Sequence, residues 1–415
     1  MVKTSRYRAA ALALLGTLAA VGARADVVMD WNARADAIAA EKHLSPPVQA
    51  RALALMHVSI FEAINAIERR YKPYRLDLVA DRNSSRETAA AVAGHTVLVA
   101  IYPDQRADLD ALLAETLAKV ADGPAKQRGL ILGRRVGADL IEHRAHDFSE
   151  DTETYRPVTN SGVYVPTAIP VGQDVGSYTP WVMSSAAQFR PAPPPPLDSA
   201  TWTRDLNEIR EMGGFKSAKR TAEQTTIAKF WFLTGARTYN PILQQAAMAK
   251  KLDLLDCARL YALASMAAFD SFVAVFEAKY AFNFWRPVTA IRNADLTGNL
   301  GTLRDPSWLP LGETPMHPEY PCAHCISSSA VATVLLKEVG ENIGEITVKN
   351  PSMPGVIRRW TKISDYRDEI SNARVWAGFH YRFSTEVGKD MGRKIGELTV
   401  ATQLRPRSAR RKSLP

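Results

Sequence analysis

The chain has little cysteine, no long uncharged apolar run after its first 25 residues, and no internal repeat. Its three cysteines, Cys257, Cys322 and Cys325, are too few for a fold stapled by disulfides. The most apolar internal segment, 260–276, is interrupted by Asp270, so we do not expect a membrane-spanning protein. No similarity recurs at a spacing of about 20–50 residues, which excludes solenoid architectures.

The positive charge of the chain lies at its two ends. The formal net charge is +9, of which four charges belong to residues 1–25 and five to the tail 405–415. The body between them is therefore neutral, and it lacks the basic surface of a nucleic-acid-binding protein. The tail is expected to be a solvated, disordered end.

The first 25 residues have the pattern of a secretory signal peptide. Basic residues precede an apolar run over 9–21, and small residues lead to a predicted cleavage site before Asp26. A buried N-terminal helix is the alternative interpretation. We expect a periplasmic or secreted protein, in which a disulfide is permitted; Cys322 and Cys325 are the only pair close in sequence.

Apolar residues at helical spacing recur along the rest of the chain. The predicted helices are 48–67, 88–101, 104–120, 125–143, 202–211, 221–232, 241–253, 255–285 and 326–336. The segment 155–189 is instead rich in glycine, proline and serine, and it leads into the proline-rich connector 190–196. These patterns predict an all-α protein of helical bundles, with an N-terminal helical region over 26–196 and a second helical domain over 197–404.

Three separated clusters in the C-terminal third combine fixed positive charge with histidine. They are KYAFNFWRP at 279–287, HPEYPCAHC at 317–325 and RVWAGFH at 374–380. Arginine can bind two oxygens of an anion in a fork, and histidine can exchange protons near neutral pH or act as a nucleophile or a ligand. The clusters predict an oxyanion cage. The side chains expected to form it are Lys279, Arg286, His324, Arg374 and His380.

Local geometry predicts where the first two clusters lie. A helix over 255–285 would carry Lys279 and Arg286 two turns apart on one face, and Pro287 would turn the chain away. The backbone amides of 322–325 are expected at the start of a helix, where unpaired N–H groups bind anions.

The third cluster cannot occupy one face of one helix. Six residues turn an α-helix by about 600°, so Arg374 and His380 would point in different directions and Gly378 is expected to break the helix. Ser384 or Thr385 is then expected to cap the next helix. A stripe of glycines in that helix predicts close packing against a neighbour: Gly388, Gly392 and Gly396.

The order of these motifs resembles the superfamily that joins vanadium-dependent haloperoxidases with type 2 phosphatidic acid phosphatases and bacterial class A acid phosphatases. The segments FWRP, HPEYP and WAGFHYRF are similar to its haloperoxidase-related branch. The resemblance implies a vanadate cofactor, with His380 as the ligand of the metal and His324 as the proton-exchanging residue. The residues implied to contact its oxygens are Lys279, Arg286, Cys322, Ala323 and Arg374. The implied reaction is oxidation of a halide by hydrogen peroxide.

Two positions depart from the family pattern. The pair before His324 is usually Ser-Gly and is Cys322-Ala323 here, and a thiol is a weaker donor than a hydroxyl. The aspartate that relatives often carry four residues beyond the metal-binding histidine is replaced by Ser384. The ring of His380 then needs another acceptor to orient it, and the sequence does not identify that acceptor.

His317 lies seven residues before His324, at a position where bromide-preferring relatives carry histidine and chloride-preferring ones carry phenylalanine. The resemblance therefore favours bromide over chloride. A turn histidine bonded to a backbone carbonyl is the alternative interpretation of His317.

Three other functions fit parts of the pattern. Phosphate could replace vanadate, and the protein would then hydrolyse phosphate monoesters through a phosphohistidine at His380, with His324 protonating the leaving group. The spacing of Cys322 and Cys325 is that of thiol oxidoreductases, although the expected βαβ context is missing. A noncatalytic oxyanion-binding helical protein is the third alternative.

Overall fold

The computed structural model describes residues 26–147, 155–233 and 235–407. The predicted signal peptide, and all of the predicted tail beyond Arg407, lie outside these residues. The described residues form thirteen α-helices and one short hairpin, so the predicted all-α architecture is confirmed. The helices are α1 Asp26–Glu41, α2 Pro46–Glu68, α3 Arg86–Ile101, α4 Arg106–Ala118, α5 Pro124–His143, α6 Ala200–Met212, α7 Ala222–Phe230, α8 Ala236–Ala249, α9 Leu254–Phe282, α10 Pro287–Arg292, α11 Ala323–Glu338, α12 Ile363–Trp376 and α13 Arg382–Thr402. The antiparallel strands are β1 Ile346–Lys349 and β2 Ile357–Trp360.

The centre of the molecule is built around α2 and α9. Both helices are long and apolar enough to cross a membrane by length and composition, but 94% of the most apolar 18-residue window of each is buried inside the protein. Helices that are apolar on every face are typical of the core of a large bundle. They pack against each other and against α3, α8, α11 and α13.

One hydrophobic core extends along most of the chain. It includes Trp31 of α1, Phe61 of α2, Phe269 of α9 and Ile395 of α13, all fully buried. The apolar contacts therefore continue across the predicted boundary at the proline-rich connector. The division into 26–196 and 197–404 stays a prediction.

The irregular segment 155–196 is held against α9 by a buried carboxylate. Asp270 is fully buried in the middle of α9 and accepts hydrogen bonds from the backbone N–H groups of Trp181, Val182 and Met183, at 2.6, 2.8 and 3.0 Å. Burial raises the pKa of Asp270 to about 6, while the three N–H donors act in the opposite direction. This long segment is thereby anchored where it lines the cavity described below.

The predicted glycine stripe packs α13 tightly against α11. A Cβ atom on Gly388 would lie 2.7 Å from the carbonyl oxygen of Cys322, and one on Gly396 would lie 2.7 Å from that of Ala330. Gly392 approaches the Ile326 carbonyl more closely still. Any side chain in the stripe would force the two helices apart.

Several helix boundaries differ from the predicted ones. Helix α9 ends at Phe282, because Asn283 adopts a left-handed conformation (φ 47°, ψ 44°) and its N–H bonds to the carbonyl of Lys279 at 2.8 Å. The expectation that Lys279 and Arg286 share one helix face is therefore wrong. Helix α8 starts before Pro241, which lies within it. The hairpin of β1 and β2 was not expected from the sequence.

The start of α13 also differs. The helix begins at Arg382 with Tyr381 at the N-cap, and no side chain caps it. The predicted capping role of Ser384 or Thr385 is therefore wrong. Both residues lie inside the helix and are fully buried.

Candidate active site

A cavity of about 720 Å³ lies where the N-terminus of α11, the C-terminal half of α9 and the loop after α12 meet. Its walls are largely apolar and include Val48 of α2, Val171 and Val175 of the long irregular segment, and Phe272 and Phe276 of α9. Five of the predicted site residues line it: His317, Ala323, His324, Arg374 and His380. Lys279 and Arg286 are hydrogen-bonded to residues in or beside the cavity wall.

Lys279 lies in the last turn of α9 and is fully buried. Its ammonium group donates hydrogen bonds to the backbone carbonyls of Pro318 at 2.9 Å and Glu319 at 2.8 Å. Burial, and then the charge of Arg286, hold the pKa of Lys279 well below its ordinary value. An ammonium has three N–H groups, so one is left for a ligand.

Arg286 ties the three sequence clusters together. It has extended backbone dihedrals because it precedes Pro287, which starts α10. Its Nε donates to the carbonyl of His317 at 2.8 Å, and its Nη1 donates to the carbonyl of Phe379 at 3.0 Å. Burial lowers the pKa of Arg286 to about 10.

The ring of His317 faces the cavity between Arg286 and an aromatic wall. Its Nδ1 lies 3.0 Å from Nη2 of Arg286 and 3.1 Å from the Pro318 carbonyl, and its ring meets that of Phe276 edge-on at 5.3 Å. A guanidinium can only donate, so Nδ1 of the neutral ring accepts from Arg286 and cannot also donate to the carbonyl. Burial, then the charges of Lys279 and Arg286, hold the pKa of His317 well below its ordinary value, which keeps the ring neutral.

Helix α11 presents its N-terminus to the cavity. Ala323 and His324 are its first two residues, and their N–H groups have no partner within the helix. Nε2 of the His324 ring is buried and has no hydrogen-bond partner among the described residues. Burial, and then the charge of Arg374, hold the pKa of His324 well below its ordinary value, although the backbone of Phe232 and Leu233 acts in the opposite direction.

A disulfide joins Cys322 and Cys325 at the start of α11. The sulfur of Cys322 caps the helix by accepting a hydrogen bond from the N–H of Cys325 at 3.2 Å. A disulfide sulfur carries no hydrogen, so the expected donation from Cys322 to an oxyanion is wrong for the oxidised protein. Both cysteines are fully buried, and the disulfide leaves neither of them as a reactive thiol.

Among the described residues, Arg374 makes fewer hydrogen bonds than Lys279 or Arg286. It lies in the last turn of α12, almost fully buried, with its guanidinium 4.7 Å from the centre of the Phe379 ring. One N–H of Nη1 donates to the carbonyl of Trp231 at 2.7 Å, whereas the buried Nε has no partner among the described residues. Burial, and then the charge of Arg286, lower the pKa of Arg374 to about 9.

His380 follows the predicted break in the chain. Gly378 has a positive φ of 80°, which glycine adopts without strain, and the N–H groups of Phe379 and His380 then fold back onto the carbonyl of Arg374 at 3.1 and 3.3 Å. This turn brings His380 beside Arg286. Nε2 of His380 lies 3.4 Å from Nη1 of Arg286.

The acceptor for the other nitrogen of His380 is Glu319. Nδ1 lies 2.8 Å from Oε1 of this fully buried glutamate. Sequence reasoning did not single out Glu319, because the contact joins residues 61 positions apart. The available signal was an acidic residue between Pro318 and Pro321 in an otherwise uncharged motif.

An aromatic cluster packs around the chain segments that carry Arg286 and His380. The stacked indoles of Trp202 and Trp285 have ring centres 5.8 Å apart, and Trp202 also contacts Tyr381 at 5.0 Å. Trp285 precedes Arg286 and Tyr381 follows His380 along the chain. Each aromatic pair contributes about 0.5–1.5 kcal/mol beyond burial, so the backbone at both functional residues is held rigidly.

Comparison with known proteins identifies several that the chain resembles. Residues 259–408 match the family model described as the VCPO second helical-bundle domain. The vanadium chloroperoxidase of Curvularia inaequalis is 24% identical, over 83% of this chain and 76% of its own length. These matches confirm the resemblance to the vanadium haloperoxidases.

Two solved structures share the fold of this chain. The first bacterial vanadium-dependent iodoperoxidase has a TM-score of 0.79 at 24% identity, over 92% of this chain and 98% of its own. A holo-type bacterial vanadium-dependent chloroperoxidase has a TM-score of 0.68 at 17% identity, over 86% of this chain and 91% of its own. The predicted haloperoxidase-like helical fold is confirmed.

Proposed function

We propose that the protein is a vanadate-dependent haloperoxidase that oxidises a halide with hydrogen peroxide. The observation that carries the proposal is that His324, Arg374 and His380 line one cavity. The buried cations Lys279 and Arg286 are hydrogen-bonded to the backbone beside these residues. Unpaired buried charge is costly, and a bound oxyanion would offset the desolvation of these cations.

The available donors fit vanadate. Nε of Arg374 and Nε2 of His324 are buried and have no partner among the described residues, and one N–H of Lys279 is left over. The N–H of Ala323 adds a helix N-terminus, which favours an anion. When bound in this site, vanadate would supply a Lewis acid that activates hydrogen peroxide towards halide without changing its own oxidation state.

The residues of the chain then have distinct roles. His380 would offer its Nε2 as the ligand, and Lys279, Arg286 and Arg374 would hold the oxygens in place. His324 would exchange a proton at its Nε2; burial and the charge of Arg374 favour the neutral ring before the exchange. The apolar walls exclude bulk water, which strengthens these electrostatic contacts.

The halide preference rests on His317. This ring stands beside Arg286 in the cavity wall, where relatives that prefer chloride carry phenylalanine. We therefore propose bromide as a better substrate than chloride.

The same arrangement supports one alternative. His380 with an unprotonated Nε2 could attack a phosphate monoester, and His324 could protonate the leaving group. The oxyanion cage would then bind phosphate in place of vanadate.

A paired assay tests the proposal. The mature protein is loaded with orthovanadate and assayed for peroxide-dependent oxidation of iodide, bromide and chloride, and vanadate-free protein is assayed with p-nitrophenyl phosphate. We expect bromide oxidation that requires vanadate. Phosphate-ester hydrolysis without halide oxidation would support the phosphatase, and tight vanadate binding without either activity would support a noncatalytic anion-binding protein.

We also propose that the protein is exported. The disulfide between Cys322 and Cys325 supports this, because such bridges persist in oxidising compartments. Mass spectrometry of the protein from a periplasmic fraction should give a mature chain that begins at Asp26, and an intact N-terminus in the cytoplasmic fraction would contradict export.

A further inference from the structure

The acid beside His380 comes from a different segment than the family pattern predicts. Position 384 holds serine, whereas Glu319 places Oε1 2.8 Å from Nδ1 of His380. We propose that Glu319 is the positioning residue that fixes the tautomer of His380 and raises the basicity of its Nε2. This inference rests on the proposed function, in which His380 binds vanadate.

The tautomer follows from the partners on both sides of the ring. Arginine carries only donors, so Nε2, which lies 3.4 Å from Nη1 of Arg286, faces a donor. Oε1 of Glu319 accepts the N–H of Tyr381 and therefore acts as an acceptor, which places the proton of the contact on Nδ1. The lone pair of Nε2 is therefore directed away from Glu319, as a metal ligand or a nucleophile requires.

Glu319 is itself held in one position. Its Oε1 also accepts the N–H of Tyr381 at 3.1 Å, and its own N–H donates to the carbonyl of Phe284 at 2.8 Å. Its carbonyl accepts from Lys279. Glu319, which belongs to the second cluster, thus contacts the other two, so the imidazole orientation depends on all three.

The charge of Glu319 matters as well as its position. A carboxylate that accepts from Nδ1–H stabilises positive charge on the ring and makes Nε2 a better ligand, as in carboxylate–histidine–metal arrangements. Burial raises the pKa of Glu319 to about 7, although the positive charges of Lys279 and Arg286 favour the ionised carboxylate. Replacement by the neutral, isosteric glutamine should keep the shape and remove this effect.

A substitution at Ser384 offers an independent way to restore an acidic side chain beside His380. It is fully buried one turn into α13, and its hydroxyl lies against the carboxylate of Glu319. An aspartate at 384 could reach the same side of the ring once Glu319 is neutral. A residue that served only to fill space would not be replaced in this way.

The experiment compares vanadate affinity and the protonation of His380. Dissociation constants come from equilibrium dialysis of orthovanadate against the wild type, Glu319→Gln, and Glu319→Gln combined with Ser384→Asp. The matched control is Glu208→Gln, whose carboxylate pairs with Arg382 at 2.6 Å outside the cage. In parallel, ¹⁵N spectra of the vanadate-free proteins report which ring nitrogen of His380 carries hydrogen, with the resonance assigned by its loss in His380→Asn.

We expect Glu319→Gln to weaken vanadate binding by about tenfold or more, the double variant to recover most of that loss, and the control to stay near the wild type. The wild-type spectrum should show hydrogen on Nδ1. Hydrogen on Nε2 in the wild type would overturn the inference without any variant. Unchanged affinity in Glu319→Gln, or a folded double variant that recovers nothing, would overturn it too. A wild type that binds no vanadate contradicts the proposed function instead, and the tautomer measurement still tests Glu319.

Discussion

Two alanine substitutions in the glycine stripe of α13 should have the same steric cost and different effects on the site. A Cβ atom at Gly388 would lie 2.7 Å from the Cys322 carbonyl, next to the N-terminus of α11. A Cβ atom at Gly396 would lie 2.7 Å from the Ala330 carbonyl, two turns further along. In both cases a backbone carbonyl oxygen of α11 or its N-cap lies at 2.7 Å from the added Cβ atom. A backbone atom cannot rotate away as a side chain can, so α11 must move.

The magnitude follows from the gap. A real Cβ atom rarely comes nearer than 3.4 Å, so α11 and α13 must separate by about 0.7 Å at either position. Overpacking of this kind costs about 1–3 kcal/mol, and replacing a helical glycine by alanine returns about 1 kcal/mol. Each variant should therefore lose about 1 kcal/mol of folding free energy. A shift of this size at Ala323 should also weaken vanadate binding by about tenfold, since misplacement by about 1 Å can cost a hundredfold.

The assay measures thermal unfolding and vanadate affinity for Gly388→Ala and Gly396→Ala. We expect similar losses of stability, but weaker vanadate binding only for Gly388→Ala. Gly94→Ala in α3 is the control, because its Cβ would meet only side-chain atoms, those of Ile60 and Trp31 at 3.3 Å. Equal vanadate affinity in the two stripe variants would refute the reasoning that the α11–α13 spacing positions the oxyanion contacts.

Three further substitutions test other parts of the site. His380→Ala should reduce halide oxidation by several orders of magnitude and leave the helical circular dichroism unchanged; retention of most activity would contradict the site assignment. Dithiothreitol should change the activity, slowly because Cys322 and Cys325 are buried, and Cys325→Ser should abolish the response; an activity indifferent to both would mean that the bridge only packs. His317→Phe should change the ratio of bromide to chloride oxidation, and an unchanged ratio would leave His317 a structural residue.

The sequence predicted several helix starts that depend on local chemistry. The helices predicted from about residues 88 and 221 are present, and the structure shows Ser85 capping α3 and a capping box of Thr221 and Gln224 at the start of α7. The break at Gly378 was predicted from helix periodicity alone, and its positive φ agrees. Such signals lie within a few residues of their effects, so a single sequence contains them.

The sequence could not predict features that depend on contacts between distant segments. The acceptor for His380 is Glu319, and no local pattern pairs these two residues. The early end of α9 at Phe282 depends on Asn283, which tolerates the left-handed conformation but does not require it. The four-residue strands of the hairpin are too short for a periodic signal to stand out.

The anchor at Asp270 has a consequence for how the specificity of the protein can be changed. Asp270 holds the loop that supplies Val171 and Val175 to the cavity, and Lys279, further along the same helix, belongs to the predicted oxyanion cage. Helix α9 therefore positions both the apolar cavity wall and the predicted oxyanion cage. The wall and the cage are nevertheless formed by separate segments of the chain. Side chains at Val48, Val171 and Val175 can be exchanged to admit larger or smaller molecules while every predicted oxyanion contact, between residues 279 and 380, keeps its place.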